Sequence, residues 1–142
     1  MPIQLDIVTP ERLAFSEEVD AVTLPGSEGE LGILPHHAPL VSTLGAGELR
    51  IRKGATEESF AIFGGFLQVL PTKVVVLAET ADMASEIDVE KAQEARREAE
   101  KALESGYHEG ADLSAARAAL TQALIRIRVA ERRHREGPRH RG

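Results

Sequence analysis

The sequence predicts a segregated α+β fold: an N-terminal all-β sandwich of about eight to ten strands, followed by a C-terminal antiparallel α-helical hairpin. Three observations predict it. Short stretches of alternating apolar and polar residues recur up to Ala78, each closed by turn residues. Of the 12 glycines, 8 precede residue 85, as do 6 of the 7 prolines. Beyond that point Ala, Glu and Arg dominate, and apolar residues recur in steps of three and four. The 142 residues accordingly divide into a sandwich over 1–85, a hairpin over 86–137 and a tail over 138–142.

Ile3-Gln4-Leu5-Asp6-Ile7-Val8 alternates, as a half-buried strand does. Leu13 to Phe15 and Val19 to Leu24 follow. Pro25-Gly26-Ser27-Glu28-Gly29 is a turn by its chemistry, because Pro sets φ and Gly permits positive φ. Glu30 to Leu34, Leu40 to Leu44 and Glu48 to Lys53 are further strands, and Lys53-Gly54 turns the chain into Ser59 to Phe63. Gly64-Gly65 is expected to break the chain before Phe66 to Leu70. Pro71-Thr72-Lys73 then turns it into Val74 to Ala78, whose apolar residues fall on both faces and mark a central strand.

The first helix opens at Asp88, a carboxylate able to accept the orphan amides of the first turn, with Ile87 before it as a hydrophobic staple. Its seam is Ala92, Ala95, Ala99 and Ala102 beside Leu103, and Gly106 is the expected stop. After a polar loop over 107–111, Asp112 is placed to cap the second helix. That helix has the seam Leu113, Ala116, Leu120, Ala123, Ile127 and Ala130, and it ends at Gly137-Pro138. A short loop between two amphipathic helices makes them antiparallel neighbours. Alanine buries little area, while each ordered residue costs about 1–2 kcal/mol of backbone entropy. The hairpin should therefore be marginal alone and must dock.

Composition removes several functions. Aromatics are 4% of residues and Trp is absent, so the core is aliphatic. Without cysteine there is no disulfide framework, thiolate metal site or thiol nucleophile. His36-His37 is not expected to bind a metal, because adjacent residues of an extended strand face opposite ways. The Gly26 to Gly32 stretch lacks the Gly-Lys-Ser/Thr ending of a phosphate loop. Met1-Pro2-Ile3-Gln4 carries no basic-then-apolar leader, so no signal or transit peptide is expected. Residues 1–86 hold 5 Lys+Arg against 13 Asp+Glu, whereas residues 113–142 hold 8 Arg against Glu131 and Glu136. An acidic base thus carries a basic arm suited to an anionic target. Nucleic acid is disfavoured, since no aromatics interleave with the arginines.

Gly26-Ser27-Glu28-Gly29-Glu30-Leu31-Gly32-Ile33-Leu34-Pro35, followed by His37-Ala38-Pro39-Leu40, resembles the signature loop of the epsilon subunit of the bacterial F-type ATP synthase. Leu5 to Pro10, Gly64 to Val69, Val74 to Ala78 and Arg128 to Glu131 match the same family in order. The resemblance implies a non-catalytic central-stalk subunit. Its sandwich would pack on the gamma subunit and rest on the ring of c subunits. Its hairpin would either fold on the sandwich or extend toward the alpha and beta catalytic subunits and suppress ATP hydrolysis. Membrane association would run only through the complex, at the cytoplasmic face of a bacterial plasma membrane.

By the same resemblance, Glu30, Leu31 and His37 are expected at the contact with the ring and gamma, and Arg117, Arg126, Arg128, Arg132, Arg133 and Arg135 at the catalytic head. Arg128, Arg132 and Arg135 are spaced to share a face. No cofactor is required. Some family members bind ATP through Ile/Leu-Asp-x-x-Arg-Ala and second-helix arginines. Here the stretch is Ile87-Asp88-Val89-Glu90-Lys91-Ala92, Gln122 stands where one arginine would align, and Arg126 is retained. Lysine lacks the bidentate fork of arginine, so ATP at Asp88, Lys91 and Arg126 is expected to be at most a weak regulatory ligand. The alternative is a free-standing β-sandwich binding module that dimerises through its hairpin; it would be told apart by its state of assembly.

Overall fold

A computed structural model of the chain describes residues 2–105 and 113–136, with side chains as far as 132. The expectations at Gly106, 107–111, Asp112, Gly137-Pro138 and the tail, and those for the side chains of Arg133 and Arg135, lie outside the described residues. Strands β1 (Ile3–Val8), β2 (Leu13–Val19), β3 (Ala21–Gly26), β4 (Gly29–Ile33), β5 (Leu40–Leu44), β6 (Gly47–Lys53), β7 (Thr56–Leu70) and β8 (Lys73–Met83) come first. A 3-10 turn at Ala84–Glu86 leads to helices α1 (Val89–Glu104) and α2 (Ser114–Glu136).

The strands hydrogen-bond in the order β2-β1-β8-β7-β5-β3-β4, with β6 bridging β3 and β7. All pairs are antiparallel except β1 with β8. The 15-residue β7 changes partners along its length, pairing with β6 over Thr56–Ile62 and with β5 over Gly65–Val69. The expected break at Gly64-Gly65 is instead a bend inside one strand. Both glycines have positive φ, at 68° and 128°, and a Cβ on Gly65 would lie 2.0 Å from the carbonyl oxygen of Leu77. Only glycine allows that approach, so the strand turns a corner without leaving the ladder. β8 likewise runs on to Met83, five residues past the expected end at Ala78, because it stays paired with the front half of β7.

Alternation supplies the core. Ile3, Leu5 and Ile7 of β1 are buried with Val74 and Val76 of β8, Leu67 and Val69 of β7, and Val22 and Leu24 of β3. Phe15 meets Phe60 edge-to-face, centroids 5.7 Å apart. β8 is central, between β1 and β7. A second, smaller cluster forms on the outer face of the sheet: Ala61 and Phe63 of β7, Ala84, and Ile125 and Val129 of α2, with Ile87 against them. That cluster seats the hairpin.

Asp88 caps α1, its carboxylate accepting the Lys91 amide at 3.1 Å. In the seam of α1, Ala92 and Ala99 are buried, but Ala95 and Ala102 are exposed. Ala92 and Ala99 stand within about 20° of each other around the helix, while Ala95 is rotated some 60° from Ala92. The seam is therefore narrower than expected, and Ala95 borders an open cleft. In α2, Leu113, Ala116 and Leu120 are half-buried, and Ala123, Ile127 and Ala130 are buried.

Candidate functional site

Helix α2 is apolar on two sides. Ala123, Ile127 and Ala130 form the stripe that serves the α1–α2 packing. Ile125 and Val129, one turn apart on the other side, close onto Ala61 and Phe63 of the sheet. Sequence reasoning missed this second stripe. The available signal was an extra apolar pair at i and i+4 outside the seam, the mark of a helix covered twice.

Two arginines flank that contact. Arg126 bonds to Asp82 at 2.9 Å, and its guanidinium lies 4.9 Å from the centroid of the Phe63 ring. Arg132 bonds to Glu48. The sheet register explains the pairing. Ala61 of β7 stands opposite Asp82 of β8 on one side and Glu48 of β6 on the other, so both carboxylates share its face. Two strand spacings amount to about 9.5 Å. Six residues of helix rise about 9 Å. An α-helix laid across three strands therefore presents Arg126 and Arg132 at the interval of the two acids. Both pairs are partly exposed, with side-chain accessibilities of 29% and 35% for the first and 37% and 12% for the second. Such pairs contribute about 0–1 kcal/mol each.

The remaining candidate residues separate. Arg117 and Arg128 are exposed, whereas Arg132 turns down onto the sheet, so Arg128 and Arg132 do not act as one outward patch. Asp88, Lys91 and Arg126 do converge, lining a cleft of about 330 Å3 together with Asp82, Glu86 and Ala92. Its lining carries three carboxylates against two cations, and Arg126 is already held by Asp82. Those residues fit a polyanion poorly.

At the opposite corner, Glu30 projects from β4 with its side chain 63% exposed and 3.5 Å from Arg50. Leu31 is not an outward residue: it is half-buried against the main core, because alternation along β4 turns it inward. His37 lies in the β4–β5 loop, its Nδ1 2.7 Å from the carbonyl oxygen of Ala38. Beside it His36 holds a φ of 66°.

One further surface escaped the sequence. Leu13, Val8, Leu77, Phe66 and Thr43 stand in register across β2, β1, β8, β7 and β5. Of these, Leu13, Leu77 and Phe66 are exposed by 58%, 50% and 57%, and Val41 nearby by 72%. Together they make a row of large apolar groups left in water on one sheet face. The signal was the uninterrupted apolar run of β8, which asks for cover on both faces.

Residues 2–84 match the family model described as the ATP synthase delta/epsilon chain, beta-sandwich domain. Residues 85–131 match its companion, the long alpha-helix domain. The chain belongs to the ATP synthase delta/epsilon family. It is 50% identical over 133 residues to an ATP synthase epsilon chain of Dehalococcoides mccartyi, covering 94% of this chain and 95% of that one. It is 48% identical over 137 residues to an epsilon chain of Herpetosiphon aurantiacus, covering 96% and 100%. Among solved structures, a chain of the Euglena gracilis mitochondrial ATP synthase, in a structure of its OSCP, F1 and c-ring, superposes with a TM-score of 0.66 at 28% identity. That alignment covers 92% of this chain and 78% of the other.

Proposed function

We propose that this epsilon-family chain, a rotor-stalk subunit, joins its sandwich to the gamma subunit and the c ring and uses its hairpin as a releasable brake on ATP hydrolysis. The observation that carries the brake is how lightly α2 is held. Ile125 and Val129 meet a small patch, and two half-exposed ion pairs flank them. Meanwhile Arg117 and Arg128 face solvent, available to acidic loops of a catalytic head. The gamma contact is assigned to the exposed apolar row of Leu13, Leu77 and Phe66, and the ring contact to the Glu30 and His37 corner. Among the described residues no helix is long and apolar enough to cross a membrane, which suits attachment through partners at the cytoplasmic face of a bacterial membrane. The chain itself carries out no catalysis in this reading.

The test is removal of residues 87–142 in the assembled enzyme. Hydrolysis should rise on the order of twofold or more, which corresponds to an arm engaged half the time. Unchanged hydrolysis would remove the brake and leave the stalk role. For ATP we propose weak regulatory binding at most, since a triphosphate must displace Asp82 from Arg126 among three carboxylates. Calorimetry on the full chain should show a dissociation constant no tighter than about 1 mM; a micromolar value would overturn this.

A further inference from the structure

The clasp on α2 does not end at Glu48. The Glu48 carboxylate has a side chain only 12% exposed, and its Oε1 serves both Arg132 and, at 4.0 Å, Arg50. Its Oε2 is buried with no hydrogen-bond partner among the described residues. Arg50 in turn reaches Glu30 at 3.5 Å. Four charged side chains of alternating sign therefore run from the β4 corner to α2, in the order Glu30, Arg50, Glu48, Arg132. Two arginines share one partly buried carboxylate, and two carboxylates share one arginine. Arg50 sits on β6 opposite Ser59, in the same ladder that sets Glu48 opposite Ala61 beneath α2.

We propose that Arg50 is a shared counter-ion that couples the Glu30 corner to the docking of α2. While Glu30 holds Arg50, the positive charge beside Glu48 is partly neutralised and Arg132 keeps its grip. When Glu30 is taken by a cation of another molecule, Arg50 swings its fork onto the open Oε2 of Glu48. Its full charge then opposes Arg132 across one carboxylate, and α2 loosens. Linkage makes the effect reciprocal: undocking α2 draws Arg50 to Glu48 and frees Glu30. A buried carboxylate oxygen left without a donor favours that movement, because satisfying it offsets the loss of an exposed pair.

The coupling inside the chain stands without the stalk reading; only the identity of the molecule that takes Glu30 rests on it. The chain has no cysteine, so Ala55→Cys and Ala118→Cys, both at exposed positions, accept a dye pair that reports the distance between sandwich and arm in the full chain. Glu30→Gln, which mimics the loss of Glu30 to a partner, should lower the docked-to-undocked ratio roughly two- to fivefold at low salt. In an Arg50→Met background, which keeps the packed stem and removes the charge, Glu30→Gln should change nothing. Arg50→Met alone should raise the docked share. Should that variant fail to fold by circular dichroism, Arg50→Gln takes its place. A Glu30→Gln effect that is absent, reversed in sign, or equal with and without Arg50 overturns the relay. Such a failure leaves the brake intact, because the brake is tested separately by hydrolysis in the assembled enzyme.

Discussion

Among the described residues, Asp6 is the one whose protonation the fold clearly biases. Its Oδ1 accepts Gln4 Nε2 and Ser16 Oγ, each at 2.8 Å, and its Oδ2 lies 3.5 Å from the ammonium of Lys73. The bonds from Gln4 and Ser16, and then the charge of Lys73, hold this carboxyl below the ordinary value of 3.8. A carboxyl lowered in the folded state stabilises the fold above its unfolded value, and that contribution disappears as the pH falls through the folded one. Asp6→Asn should therefore reduce stability at neutral pH and flatten the decline below about pH 4. Urea denaturation at both ends of that range measures the two slopes. Local features of this kind differ in how far a sequence reveals them. Asp88 as a helix cap was legible, since the motif needs only its own four residues. Gly64-Gly65 was half legible. A glycine pair signals a break and a bend alike, and the carbonyl of Leu77, thirteen residues on from Gly64, decides between them.

At the scale of elements, α2 is what joins the hairpin to the sandwich. Its seam toward α1 followed from spacing alone, and Ala123, Ile127 and Ala130 are buried as that spacing requires. The stripe of Ile125 and Val129 and the acids that receive Arg126 and Arg132 did not follow. Each depends on which strands lie side by side, and nothing local to α2 encodes that. The inward lean of Leu31 was hidden for a related reason: the motif that contains it says nothing about which way β4 faces. Ile125 is buried in the small contact with the sheet, so Ile125→Ala should weaken docking by about 2 kcal/mol or more. Hydrogen exchange should then accelerate through the α2 backbone while β1 and β8 keep their protection, because the main core does not include Ile125. Uniform acceleration across all strands would mean that arm and sandwich unfold as one body.

At the scale of the whole molecule, the two faces of one bent strand meet different surroundings. The front of β7 offers Ala61 and Phe63 to the arm, and its rear offers Phe66 to the outside. Phe66 is more than half exposed, so Phe66→Asp should cost the isolated chain no more than about 0.5 kcal/mol. The same change should impair assembly with the rotor, read by the fraction of chain retained on reconstituted complexes at matched concentration. Retention equal to that of the unchanged chain would move the gamma contact to another face.

Laying α2 across three strands also fixes the sequence of events when it lifts. Arg132 stands nearest the end of the chain, then come Val129, Arg126 and Ile125. A pull on the C-terminal end therefore loads one attachment at a time, as a strip of tape peels, and never the whole set at once. On the releasable-arm reading proposed above, detachment would start at the Glu48 anchor and pass through a half-lifted stage still tethered at Asp82. Successive smaller barriers would then replace a single large one.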